Sequence, residues 1–104
     1  MFTNTSSIAT DRGARYVKQF VGHWGRRAAR LEDSEGQATM HFDADEKFSA
    51  CVVEFASSDA ALELRVSAAD AGTVEAICEA LTEHLVRFSA KTDKLDITWS
   101  WSDA

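Results

Sequence analysis

A chain of 104 residues, 45% apolar and 27% charged, with three Trp and six Phe, has the length of one domain and a composition that excludes disorder. A net charge of -6 works against nonspecific nucleic-acid binding, which needs dense Lys and Arg, and no apolar run approaches the roughly 18 residues of a membrane span. Residues 1–7 have neither the basic nor the apolar region of a signal peptide, so a cytoplasmic location is expected, with Cys51 and Cys78 as reduced core thiols in no metal-type or redox-type spacing.

Residues 3–9 read as a short edge strand. Thr10 and Asp11 are both good N-caps for a helix over 10–24, in which Tyr16, Val17, Phe20, Val21 and Trp24 recur on one apolar face and Gly25 stands at the capping position. A weak strand over 28–32, a turn over 33–36 and a strand over 37–42 follow; in the last, Ala38, Met40 and Phe42 alternate with polar neighbours. After an acidic turn at 43–46, residues 48–55 are apolar on both faces, which places that strand centrally. A further turn at 56–59 leads to a half-buried strand in which Leu62, Leu64, Val66 and Ala68 alternate with Glu63, Arg65 and Ser67. Asp70 caps a second helix running to about Phe88, with Val74, Ile77, Cys78, Leu81, Leu85 and Phe88 on its apolar face. A last strand spans 95–101, with Leu95, Ile97, Trp99 and Trp101 alternating with polar residues; the two tryptophans are core side chains or the floor of an aromatic pocket.

The order (β)-α-β-β-β-β-α-β, with hairpin-length turns, predicts an α+β two-layer sandwich over the single domain 1–104: a mostly antiparallel sheet with both helices on one face. The other face is left for solvent or a partner, and the apolar second face of 48–55 favours a partner, including a second copy in a homodimer.

At the first helix, Asp11-Arg12-Gly13-Ala14-Arg15-Tyr16-Val17-Lys18-Gln19-Phe20-Val21-Gly22-His23-Trp24 resembles the opening signature of the bacterial family called domain of unknown function 2218 (DUF2218). His84-Leu85-Val86-Arg87-Phe88 and the later Leu95 to Trp99 resemble its closing motifs, so the likeness runs nearly the full length. The chain departs from the family in two places: Arg26 stands where many members carry a second histidine, and the middle, over 43–60, is longer and more acidic. The resemblance carries no established activity. It implies an association with siderophore-utilisation flavoproteins, of which members are sometimes neighbours or fused parts.

Charge is unevenly placed: residues 10–30 hold six basic groups and one acid, Asp11. Arg12, Arg15, Gln19, His23 and Arg26 fall on one polar stripe of the first helix, and His84 and Arg87 flank the second. Arginine's planar donor fork suits carboxylate or phosphate, so these seven residues are the candidate ligand set, with pairing to the protein's own acids, such as Glu54 or Glu63, as the structural alternative. His23, His84 and Glu83 could form a metal or acid–base site if the helices adjoin, but the spacing carries no metal signature and Arg26 repels a cation. His41 falls on the polar side of its strand; no nucleophile elbow or phosphate loop is present, and no cofactor is implied. Three functions are therefore carried forward: a non-enzymatic accessory or binding module for an anionic small molecule or protein partner, in iron–siderophore utilisation; a small enzyme using His23 or His84 with arginine clamps; and a structural dimerisation domain.

Overall fold

The computed structural model describes residues 1–89 and 94–102. Its elements are β1 (Phe2–Ala9), α1 (Gly13–Trp24), a 3-10 turn (Gly25–Arg27), β2 (Arg30–Ser34), β3 (Gln37–Phe42), β4 (Cys51–Ser57), β5 (Ala61–Ala68), α2 (Ala71–Ser89) and β6 (Ser100–Ser102). The six strands form one sheet in the order β2-β3-β4-β5-β1-β6, and every pairing is antiparallel. This is the expected α+β sandwich. Ala38 and Met40, Cys51, Val53 and Phe55, the apolar alternation of β5, and Ile8 all turn inward. They share one core with Tyr16, Val17 and Phe20 of α1 and Val74, Cys78, Leu81 and Leu85 of α2, so both helices cover the same face. Among the described residues no helix is long and apolar enough to cross a membrane.

Several boundaries differ from the sequence reading. β1 is not an edge strand: it lies between β5, which it pairs over its whole length, and β6. Its Thr and Ser residues disguise a central strand, because Thr3, Asn4 and Ser6 are buried alongside Ile8. Thr3 Oγ1 and Ser67 Oγ share a hydrogen bond of 3.1 Å across the ladder.

α1 starts at Gly13, with Arg12 rather than Thr10 or Asp11 as N-cap; Thr10 Oγ1 instead accepts from the Arg12 N–H at 3.1 Å, fixing the turn before the helix. Gly13 is required by a close approach, since a Cβ there would stand 2.8 Å from Ser57 Cβ and 3.1 Å from the Ala61 carbonyl oxygen. Gly25 is the C-cap, but right-handed at φ -58°, and the chain tightens into the 3-10 turn. At the β2–β3 turn Gly36 has φ 76°, where a side chain would be strained, and its carbonyl accepts from Ser57 Oγ at 2.8 Å.

The expected strand over 48–55 begins only at Cys51, and 48–50 belong to the β3–β4 loop. The open sheet face is therefore less apolar than expected. Its cross-strand row Thr5–Arg65–Glu54–Thr39–Glu32 is polar, while Val52 and Ala56, on either side of Glu54 in β4, keep apolar side chains on that face. The last strand is three residues long. Leu95, Ile97 and Trp99 keep their alternation and pack on the core outside any ladder, and the Trp99 indole N–H donates to Thr82 Oγ1 of α2 at 2.9 Å.

Candidate functional site: a histidine cleft between the helices

The β3–β4 loop is built by two aspartates. Asp45 Oδ1 accepts from the Lys47 and Phe48 N–H groups, both at 2.8 Å, and these bonds hold its carboxyl below the usual range. Asp70 caps α2 as expected: Oδ2 accepts from the Thr73 N–H at 2.9 Å and Oδ1 from the Thr73 hydroxyl at 2.8 Å. Ser49 reaches back to the same cap, its hydroxyl donating to Asp70 Oδ1 and its N–H to Thr73 Oγ1 at 3.1 Å. The Ser49 bond is the chief cause of Asp70's lowered pKa. The acidic turn is thereby pinned against the start of α2, where it walls a cleft.

That cleft has a volume of about 590 Å³. Trp24 and Arg27 bound it on the α1 side, Phe42, Asp43, Asp45, Phe48 and Ser49 along the loop, and Ile77, Ala80 and His84 on α2, with the Cys51 side chain also in its wall. His84 is its one titratable aromatic group. The imidazole meets Trp24 edge-on at 5.4 Å between ring centres and 89°, and lies 5.7 Å from Phe88 and 6.2 Å from Phe20. Burial first, then the charges of Arg87 and His23, push its pKa down, with Glu83 opposing. At neutral pH the ring is therefore uncharged, one nitrogen donating and the other accepting. Burial, reinforced by Asp45, pushes the Cys51 thiol up, so it is a poor nucleophile at neutral pH.

The seven candidate residues divide between the two ends of α1. His23 is exposed and stacks on Phe88 at 5.4 Å and 28°, so His23 and His84 gather around one phenyl ring, with the charge of Arg87 felt at His84. Arg26 is exposed in the 3-10 turn, next to Arg27 at the cleft mouth. Arg12 is half-buried at the N-cap, with Nε 3.9 Å from Asp11 Oδ1, about 16 Å of helix rise away from His23. Arg15 projects from the other flank of α1. With Lys18 it lines a separate groove of about 530 Å³ whose far wall, the β2–β3 hairpin, carries Asp33 and Glu35.

These hairpin acids, rather than Glu54 or Glu63, are the counter-charges that share a cavity with Arg15. Glu54 and Glu63 are on the opposite sheet face, where Glu54 meets Arg65 at 3.7 Å. Gln19 is half-buried, and its Oε1 has no hydrogen-bond partner among the described residues. Among those residues no three His, Cys, Asp or Glu side chains converge on a position for a metal ion.

Phe42, Phe48, Ile77 and Ala80 were not singled out from sequence as site residues. The one signal pointing to them is the long acidic connection after β3, which looks like an ordinary surface turn until its contacts with α2 are seen.

A family model for uncharacterised proteins conserved in bacteria, DUF2218, matches residues 5–100. Among solved structures, the chain is similar to the NMR structure of PA4090 from Pseudomonas aeruginosa, with TM-score 0.65 and 22% identity over 96% of each chain, a likeness of fold. No curated protein matches the chain.

Proposed function

For this chain, which belongs to the bacterial DUF2218 family, we propose a non-enzymatic role as a binding module whose ligand is a small aromatic molecule held in the His84 cleft. The observation that carries this reading is a pH-neutral, half-buried imidazole facing a mostly apolar cavity of about 590 Å³ walled by Trp24, Phe42 and Phe48. Pockets for small molecules combine such apolar walls with a few placed polar groups. Here Arg27 and Asp43 at the rim supply opposite charges, and His84 supplies a donor and an acceptor. A hydroxyaromatic head, which both donates and accepts, satisfies all three. That ligand class also fits the accessory role in iron–siderophore utilisation, because catechol-type groups are good iron chelators.

The test is a titration of amide chemical shifts with catechol, 2,3-dihydroxybenzoate and its ferric chelate, with sulfate, phosphate and citrate as anions lacking an aromatic body. The expected shifts cluster at Trp24, Phe48, Ile77 and His84, and Ala80→Phe, which fills the cleft, abolishes them. Binding of the simple anions centred on Arg12 and Arg15 would instead assign the function to the basic stripe. No saturable shift at the cleft with any aromatic probe would end the proposal.

A further inference from the structure

Residues 43–50, which join β3 to β4, are tied firmly to themselves and sparsely to everything else. Inside the segment, Asp45 Oδ1 accepts from the Lys47 and Phe48 N–H groups, and the Asp45 N–H donates to the Phe48 carbonyl at 2.9 Å, so 45–48 hold together as one small unit. Among the described residues, every hydrogen bond from 43–50 to another element is made by Ser49. Its N–H donates to Thr73 Oγ1 at 3.1 Å, its hydroxyl donates to Asp70 Oδ1, and the same hydroxyl lies 3.2 Å from Thr73 Oγ1. Among those residues no ion pair joins the segment to its surroundings, and Phe48 stands 37% exposed, outside the core.

We propose that 43–50 form a strap over the His84 cleft with Ser49 as its latch, so that release of Ser49 swings the 45–48 unit outward and widens the cleft. The two sides of the latch differ as such a device requires. Thr73 is 1% exposed in the first turn of α2 and is held there by the Asp70 cap, so the helix side is fixed. Residues 43–48 are all exposed, and a segment with few buried contacts opens locally at a fraction of the cost of unfolding. The segment starts and ends at Phe42 and Cys51, which face each other in the β3–β4 ladder, so it can move without breaking the sheet.

Asp43, Asp45, Phe48 and Ser49 line the cleft, and Cys51, 5% exposed, lies in the same wall. Opening the strap therefore uncovers Cys51, while Cys78 on the inner face of α2 stays in the core. That the strap governs ligand entry rests on reading the His84 cleft as the binding site; the motion itself does not.

Thiol labelling of the full chain under native conditions tests the motion with no ligand present. Ser49→Ala should raise the Cys51 rate at least tenfold, the scale expected for loss of a hydrogen bond to a charged group, and leave the Cys78 rate unchanged. Ser49→Thr, which keeps the hydroxyl, should restore protection. Ser57→Ala removes a bond of 2.8 Å to the Gly36 carbonyl at the other end of β4 and should leave Cys51 protected. Amide spectra verify each fold, and in Ser49→Ala the shifts should be confined to 43–50 and the first turn of α2. A wild-type Cys51 rate in folded Ser49→Ala would overturn the proposal. So would a parallel rise at Cys78, which reports global destabilisation, or an equal rise at Cys51 in Ser57→Ala. Because no ligand enters these measurements, failure of the aromatic probes to bind would strike the function assigned to the cleft, and failure of the labelling pattern would strike the strap.

Discussion

His84 is held among the Trp24, Phe20 and Phe88 rings, with Arg87, His23 and Arg27 adding positive charge nearby and Glu83 alone opposing. Each cause except Glu83 disfavours the imidazolium, so the folded pKa lies below the ordinary histidine value of 6.5. The sign of the linkage follows. Below 6.5 the unfolded chain takes up the proton first, so this group's contribution to stability, present above that value, is lost as pH falls through the folded pKa. Denaturant midpoints measured between pH 7.5 and 5 should fall with pH, and His84→Gln should flatten that part of the profile. An unchanged slope in His84→Gln would show that the ring is not kept neutral by its surroundings. Position 84 falls beside the apolar stripe of α2 in sequence, so its location was legible. Its neutrality was not, since that depends first on burial, and the rings of Trp24 and Phe20 that cover it come from another part of the chain.

Among the elements, α2 was the most readable, because a long amphipathic period and an Asp cap agree with one another. Leu81 is fully buried on its inner face and Glu79 is exposed. Leu81→Ala should cost ~2–5 kcal/mol, and Glu79→Ala should stay within ~0.5 kcal/mol. Chemical denaturation checks both, and a midpoint unmoved in Leu81→Ala would mean the helix turns a different face inward. The strands were less readable where pattern and pairing disagree. Residues 95–101 alternate perfectly, but among the described residues only Ser100–Ser102 pair, while Trp99 packs on the core with its indole N–H on Thr82 of α2. β1 shows the converse: it is too rich in Thr, Ser and Asn to look central, and becomes so because β5 and β6 flank it. Asp70 shows how a local signal gains a second role, since the residue that caps α2 also anchors the loop carrying Phe48 through Ser49.

At the scale of the molecule, one core joins both helices to the sheet, and the two thiols lie in it on different elements. Both are free; Cys78 is pushed up to about 12 by burial, outweighing a hydrogen bond from Asn4. Under native conditions both should resist an alkylating reagent, Cys78 the more strongly, and modification should proceed at the rate of unfolding. Rapid labelling of Cys78 in the folded protein would contradict its place in the core.

Fold class, element order and most inward-facing positions are legible in the residue pattern alone, because periodicity of 3.6 or 2 and the Asp70 cap are properties of short segments. The same pattern carries the family signature at Asp11–Trp24. Tertiary packing sets which face of β4 meets solvent, where β1 and β6 sit in the sheet, and that Arg15 of the α1 stripe lines a different groove from the one His84 lines. It also decided that Trp24, Phe48 and His84, drawn from three elements, surround one cleft. Those outcomes depend on contacts between residues distant in the chain, whose energies no local pattern encodes.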